Sequence, residues 1–97
     1  PALSQLLARY DRYAGSGEIN SQVADTAASL AAIRAVYTSR PGVTLDELDG
    51  LTVDLGGGEW FNVRPSNTEP LLRLNVEAPG DAAMARLRDE VLSVIRA

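Results

Sequence analysis

The sequence has no cysteine, no histidine and no lysine. Without cysteine, neither a disulfide framework nor a thiolate metal site can form. Without histidine as well, only carboxylate side chains could bind a metal ion. Their positions lack the loop spacing of a cation site, so no metal site is predicted. The chain also lacks an apolar run of the roughly 18–20 residues that cross a bilayer, so we expect a cytoplasmic protein with no membrane partner.

The composition of the chain is that of one ordinary globular domain. Its 97 residues are 45% hydrophobic and 23% charged, and a chain of this length usually forms a single core. The formal net charge of −4 argues against a nucleic-acid partner, since such affinity comes largely from basic side chains on phosphates. All nine basic residues are arginines, so any anion site must use guanidinium groups, which bind phosphate through parallel hydrogen bonds.

The N-terminal part of the chain predicts a short helix followed by a hinge. Within residues 1–13 the apolar side chains recur at helical spacing, at Leu3, Leu6, Leu7 and Tyr10. Gly15-Ser16-Gly17 then ends this pattern, as a linker does. The chain starts at Pro1 rather than at a methionine, so we expect a segment of a longer protein.

Periodicity and turn signals beyond the hinge predict a βαβββα order. The elements are a strand at 18–23, a helix at 24–39, strands at 51–55, 60–63 and 71–78, and a helix from residue 81 onward. Asp25 or Thr26 is expected to cap the first helix and Asp81 the second, because each side chain can accept from a free backbone N–H. Residues 43–48 fit either a short strand or a turn.

Apolar stripes predict how these elements pack. The helical stripes are Leu30, Ile33 and Tyr37, and then Met84, Leu87, Val91 and either Val94 or Ile95. The last strand places Leu72, Leu74 and Val76 on one face and Arg73, Asn75 and Glu77 on the other. An antiparallel sheet with two helices on one face buries all the stripes together, so the predicted fold class is α+β.

The polar loop Arg64-Pro65-Ser66-Asn67-Thr68-Glu69-Pro70 is the best candidate for a binding site. Its two prolines fix their own φ and hold the residues before them extended. Asn67 is the loop residue best able to adopt a left-handed conformation, and such a turn can aim successive backbone N–H groups at an anion. Arg64 adds a permanent charge and parallel hydrogen bonds to a phosphate, and the hydroxyls of Ser66 and Thr68 add donors. On residue types alone, a plain hairpin loop fits the same composition.

The stretch GEWFNVRPSNTEPLLRLNVEA resembles the signature of the fourth, C-terminal domain of the α-D-phosphohexomutases, in the phosphomannomutase/phosphoglucomutase group. In that family, the loop matching RPSNTEP binds the substrate phosphate that is distal to the reacting centre. The resemblance implies phosphate contacts at Arg64, Ser66, Asn67 and Thr68, with Pro65, Glu69 and Pro70 shaping the loop. Arg73 is a further candidate, because its strand position faces away from the apolar side.

The resemblance extends upstream of the loop. RYAGSGEIN looks like the crossover from the third to the fourth domain of the family. It implies that residues 1–14 are a residual helix and hinge from the preceding domain, with the hinge at Gly15, Ser16 and Gly17, and that residues 15–97 form the C-terminal domain. The family's last domain has a βαβββα order with TATA-binding-protein-like topology, in agreement with the order read from the residues.

The resemblance also implies a parent enzyme of carbohydrate metabolism, an isomerase that interconverts hexose 1-phosphate and hexose 6-phosphate. In the family, the catalytic phosphoserine, the aspartate-rich Mg²⁺ loop and the sugar-selecting loop lie in the first three domains, and none of these motifs occurs here. We therefore expect no catalytic residue and no cofactor in this domain, and an inactive fragment. Mg²⁺ and a glucose or mannose 1,6-bisphosphate intermediate belong to the parent, and the implied partners are a hexose phosphate and the three preceding domains. Asn67 favours the mannose/glucose members of the family, and the SGEIN segment favours mannose.

Two other function classes stay open. A non-enzymatic α+β protein-interaction module would bind a partner through its sheet face or through the stripe of residues 3–10, and it would not respond to sugar phosphates. A nucleic-acid module fits the topology, but the acidic balance and the lack of a basic patch beside exposed aromatic residues disfavour it.

Overall fold

Eight helices and strands are formed within residues 13–97, the part of the chain that this computed structural model describes. They are β1 (Tyr13–Gly15), β2 (Ile19–Gln22), α1 (Thr26–Thr38), β3 (Thr44–Asp46), β4 (Leu51–Gly56), β5 (Glu59–Pro65), β6 (Leu71–Pro79) and α2 (Asp81–Ile95). The helix predicted over residues 1–13 lies outside the described residues, except that Tyr13 begins β1. The predicted βαβββα order is confirmed, and the short strands β1 and β3 are added to it.

β6 is the longest strand of an antiparallel sheet that has six strands within residues 13–97, and it lies beside the edge formed by β1 and β2. β5 pairs along one side of β6, from Trp60 opposite Glu77 to Pro65 opposite Leu72. Two short strands share the other side, where β1 pairs with residues 77–79 and β2 with residues 71–74. β4 and then β3 continue the sheet beyond β5. The two longest strands, β5 and β6, therefore lie in its middle.

Alternation along β6 separates a buried face of the sheet from an open one. Its buried residues are Leu72, Leu74, Val76 and Ala78, whereas Arg73 and Glu77 between them are exposed. Both helices cover the buried face, and their core residues are Ile33 and Tyr37 from α1 and Leu87, Val91 and Ile95 from α2. This arrangement confirms the α+β class, with two helices on one face of an antiparallel sheet.

The two helices begin in different ways. Asp25 caps α1, and its carboxylate accepts from the Ala28 N–H at 3.1 Å. The predicted cap at Asp81 is wrong, because α2 starts after Gly80, whose φ is +92° and which makes no side-chain cap bond. Asp81 is instead the first helical residue, where its charge stabilises the positive end of the helix dipole. Within residues 13–97, neither helix has both the length and the apolar character needed to cross a membrane.

Tyr37 joins the two helices to the sheet. Its ring meets Phe61 of β5 edge-on, with the ring centroids 5.0 Å apart. Its hydroxyl donates to Glu90 Oε1 of α2 at 2.8 Å. Arg40 pairs with the same Glu90 oxygen at 2.6 Å and lies over the Tyr37 ring at 4.7 Å from its centroid. Burial, and then the hydrogen bond to Glu90, raise the pKa of Tyr37 well above its ordinary value.

Candidate functional site

The predicted loop connects β5 to β6 and is closed by its own hydrogen bonds. The Ser66 N–H donates to the Leu71 carbonyl at 3.0 Å, and the Leu71 N–H donates to the Glu69 carbonyl at 2.8 Å. Inside the loop, the Thr68 N–H donates to Ser66 Oγ at 3.3 Å. Local contacts between these neighbouring residues therefore hold the loop at the ends of the two central strands.

Asn67 does not adopt the left-handed conformation expected from its residue type. Among residues 13–97, positive φ is confined to glycines. The side chain of Ser66 turns the chain by accepting the Thr68 N–H, and serine turns of this kind do not require a positive φ. The prediction of a left-handed anion nest is therefore wrong.

An open cavity of about 530 Å³ lies against the loop. Its lining includes the four predicted phosphate contacts, Arg64, Ser66, Asn67 and Thr68, together with Pro65 and Arg73. The loop-shaping residues Glu69 and Pro70 lie outside this lining, where the chain enters β6. The fold thus brings the predicted contact residues together on one surface.

Two arginines stand opposite each other across β5 and β6 at this cavity. Arg64 and Arg73 are register partners, and both line the cavity. Like charges directly opposite each other on neighbouring strands destabilise a sheet. Asp49 offsets one of these two charges and a bound anion would offset the other, so the pair favours an anion site and supports Arg73 as a candidate.

The open face of the sheet continues from the loop as a second cavity of about 390 Å³. Arg64 and Arg73 line both cavities. The second is lined further by Glu18, Thr52, Trp60, Asn62, Asn75 and Glu77. This polar face, which the helices leave uncovered, suits a hydroxyl-rich ligand or a polar protein surface better than an apolar partner.

Three residues beside Arg64 were missed by the sequence analysis. Asp49 forms an ion pair with Arg64, and Asn62 Oδ1 accepts from Arg64 Nε at 3.2 Å. Gly50 has φ of +70°, and a Cβ there would lie 2.6 Å from the Val63 carbonyl oxygen. The Asp-Gly dipeptide is a turn signal, but the sequence does not show that this turn folds against the end of β5.

The predicted hinge lies along the edge of β6. Gly15 ends β1 and pairs with Glu77. The Ser16 N–H donates to the Val76 carbonyl at 2.9 Å, and Ser16 Oγ accepts from the Val76 N–H at 2.9 Å. Gly17 follows with φ of +69°. Residue 14, where the sequence analysis places the domain boundary, therefore lies within β1.

The described carboxylates do not form a metal site. Within residues 13–97, no group of three acidic side chains is placed to hold an ion. Asp46 and Asp54 instead accept the N–H groups of Leu48 and Gly56, at 2.8 and 2.9 Å, and so stabilise local turns. The described residues therefore do not fit Mg²⁺.

The fold and the cavity define an α+β domain with two helices on one sheet face and an arginine-lined polar loop at the end of its central strands. Residues 18–94 match the family described as phosphoglucomutase/phosphomannomutase, C-terminal domain. This match includes β2 to β6, the whole of α1, all of α2 except its last residue, and the whole loop. The chain belongs to this family.

Similar curated proteins come from bacteria and archaea. A relative named phosphohexose mutases from Xanthomonas campestris pv. campestris is 47% identical over 87 residues, which are 89% of this chain and 19% of the relative. A phosphomannomutase from Methanocaldococcus jannaschii is 39% identical over 94 residues, 97% of this chain and 20% of the relative. A phosphomannomutase from Escherichia coli is 38% identical over 98 aligned positions, which cover 98% of this chain and 21% of the relative. The chain thus spans about a fifth of the length of these curated relatives.

Proposed function

We propose that this chain is the substrate-phosphate-binding domain of a phosphohexomutase that interconverts hexose 1-phosphate and hexose 6-phosphate. The observation that carries the proposal is the opposed pair Arg64 and Arg73 beside a loop of hydroxyl and amide side chains. Membership of the phosphoglucomutase/phosphomannomutase C-terminal family supports it. The names of the relatives, phosphohexose mutases and phosphomannomutase, support it too.

Each loop residue has a part in holding the phosphate. Arg64 supplies a permanent charge and parallel N–H donors. Ser66 accepts the Thr68 N–H and keeps its own hydroxyl proton for a phosphate oxygen. Asn67 and Thr68 supply an amide donor and a second hydroxyl, while Pro65, Glu69 and Pro70 shape the loop. Arg73 adds the second charge from the neighbouring strand.

The role of these residues is positioning and charge stabilisation rather than bond-making. Four charge-assisted hydrogen bonds contribute about 6–12 kcal/mol before other costs. Association costs at least ~4 kcal/mol, and desolvation and ordering of the side chains cost more. The exposed loop alone should therefore bind a sugar phosphate in the roughly millimolar range. In a closed cleft, where water is excluded, the same contacts contribute more.

The remainder of the reaction belongs to a longer parent protein. The three preceding domains would supply the catalytic phosphoserine and Mg²⁺, and a glucose or mannose 1,6-bisphosphate would be the intermediate. The 97-residue chain alone should be inactive. Movement of the domain would bring the loop over the substrate, and Gly15 and Ser16, which are bonded to β6, would move together with it.

The first test is a ¹H–¹⁵N NMR titration of this chain with mannose 1-phosphate and glucose 6-phosphate. Fast-exchange shifts centred on residues 64–68 are expected. Arg64→Ala should weaken binding by at least about tenfold, because it removes charge-assisted hydrogen bonds. Arg86→Ala is the matched control, because Arg86 lies exposed on α2 and its loss changes the net charge equally.

Two outcomes of this titration would contradict the proposal. A well-dispersed spectrum with no shifts at tens of millimolar sugar phosphate would contradict phosphate binding by this loop. It would favour the non-enzymatic interaction module, whose partner would then be sought on the open sheet face. Equal weakening by Arg64→Ala and Arg86→Ala would show that only the overall charge matters.

A further inference from the structure

Arg64 already has internal partners on one edge of its guanidinium group. Its Nη2 pairs with Asp49 Oδ2, and its Nε donates to Asn62 Oδ1 at 3.2 Å. Nε and Nη2 form one of the two donor forks of an arginine, and a phosphate needs such a fork for two parallel hydrogen bonds. One fork of Arg64 is thus occupied before any ligand arrives.

The turn that carries Asp49 is fixed against β5. Asn62 Nδ2 donates to the Asp49 carbonyl at 2.9 Å and to Thr52 Oγ1 at 2.9 Å. Gly50 has φ of +70°, and a Cβ there would lie 2.6 Å from the Val63 carbonyl and 2.7 Å from Arg64 Cγ. Only a glycine lets the turn approach so closely. Asp49 is therefore held beside Arg64 by the backbone as well as by its own charge.

We propose that Asp49 is an internal competitor for Arg64 that weakens phosphate binding and so hastens release. The inference rests on the proposed phosphate site. Asp49 lines the same cavity as Ser66 and Asn67, and its side chain is 72% exposed. A phosphate in that cavity must either displace the Asp49 carboxylate from Arg64 or bind beside its negative charge.

Two opposing effects of Asp49 can be compared by size. By holding Arg64 in position, Asp49 could strengthen phosphate binding, but an exposed ion pair changes an affinity by no more than about fivefold and commonly much less. As a like charge about 6 Å from a phosphate dianion, a carboxylate weakens binding by about tenfold in water. Salt reduces this repulsion to about threefold at ~0.15 M. At low salt competition therefore outweighs positioning, and at ~0.15 M it does so as long as the ion pair contributes less than about threefold.

Such a competitor suits a site that must release its ligand in every reaction cycle. A loop with two unopposed arginines would hold a phosphate dianion longer, and release would slow. Asp49 replaces part of the lost interaction as the phosphate leaves, so Arg64 is not left without a counter-charge. Arg73, which makes no ion pair within residues 13–97, keeps its full attraction for the ligand.

The test compares Asp49→Asn with Glu47→Gln. Asparagine keeps an oxygen that can accept from Arg64 Nη2, and it removes only the charge. Glu47 lies in the same turn, but its carboxylate pairs with Arg34 of α1 at 2.6 Å, so Glu47→Gln is a control of equal charge change. Inorganic phosphate is titrated by NMR at two salt concentrations, and the amides of residues 66–68 and the Arg64 Nε–H are followed.

Asp49→Asn should bind phosphate about threefold to tenfold more tightly than the wild type, and the gain should shrink as salt rises. Glu47→Gln should gain markedly less. Unchanged or weaker binding by Asp49→Asn, with the wild type still binding, would overturn the competitor role and leave the phosphate site standing. An equal gain in both variants would also overturn it. No response from any of the three proteins at tens of millimolar phosphate would remove both proposals.

Discussion

Gly50→Ala should destabilise the domain far more than an alanine in an equally left-handed turn elsewhere. Gly50 has φ of +70°, and its added Cβ would lie 2.6 Å from the backbone oxygen of Val63. Left-handed φ costs an alanine about 1–2 kcal/mol. The forced contact with backbone costs about 1–3 kcal/mol more, and reduced freedom of the unfolded chain returns about 0.4–1 kcal/mol. Together these contributions give an expected loss in the free energy of unfolding of about 1–5 kcal/mol, centred on about 3 kcal/mol.

Gly57→Ala is the matched control for this prediction. Gly57 has φ of +65°, and a Cβ there would meet no atom within 4 Å. Gly57→Ala should therefore lower the free energy of unfolding only by the cost of the left-handed conformation, about 1 kcal/mol. Urea unfolding followed by the fluorescence of Trp60, the only tryptophan, measures both losses as shifts in midpoint at unchanged slope. Equal losses in the two variants would refute the argument that close approach, rather than backbone conformation alone, requires a glycine at position 50.

Two further predictions concern Tyr37 and Arg73. Burial and Glu90 raise the pKa of Tyr37 above its ordinary value. As the pH rises, the tyrosine hydroxyl therefore loses its proton in the unfolded state before it does so in the folded state. The free energy of unfolding should be unaffected by this group below about pH 10 and should fall above it. Tyr37→Phe should lower stability by about 1 kcal/mol at neutral pH and flatten that alkaline fall; an unchanged fall would show that Tyr37 does not cause it. Arg73→Gln should raise ligand-free stability by less than about 1 kcal/mol, because it removes a like charge opposite Arg64 that Asp49 already offsets in part. It should nevertheless weaken phosphate binding. Thermal unfolding with and without phosphate measures both effects, and Arg86→Gln, on the far side of the domain, should produce neither.

Much of the fold could be predicted because the sheet buries one face and each helix buries one row of apolar side chains, and both patterns can be read from the spacing of apolar residues. Leu72, Leu74 and Val76 alternate along β6, and all three are buried as predicted. Local sequence signals located the start of a helix less reliably where two neighbouring residues could each be the N-cap. Gly80, rather than Asp81, precedes the first turn of α2, because a glycine can take the φ of +92° that the chain needs there.

The candidate site was only partly predictable, because contacts between distant segments depend on strand register. RPSNTEP is contiguous, so its residues could be identified together. Asp49 and Gly50 reach Arg64 only because β4 pairs with β5 so that Leu51 lies opposite Val63. A register shifted by one residue would place other side chains there, and residues 49 and 50 do not reveal that register by themselves. The left-handed conformation expected of Asn67 failed for a different, local reason: the hydroxyl of its neighbour Ser66 closes the turn by accepting the Thr68 N–H.

The way β6 is shared by two short strands has a consequence for how the domain behaves at high concentration. β1 and β2 on one side and β3 on the other are each only three or four residues long. A growing aggregate recruits a native protein most easily through a long, flat row of unpaired backbone groups at the margin of a sheet. Here the long hydrophobic strands sit in the interior, and short, broken ones form the margins. The folded domain therefore presents a poor template for intermolecular strand addition, and aggregation should require prior unfolding of its centre.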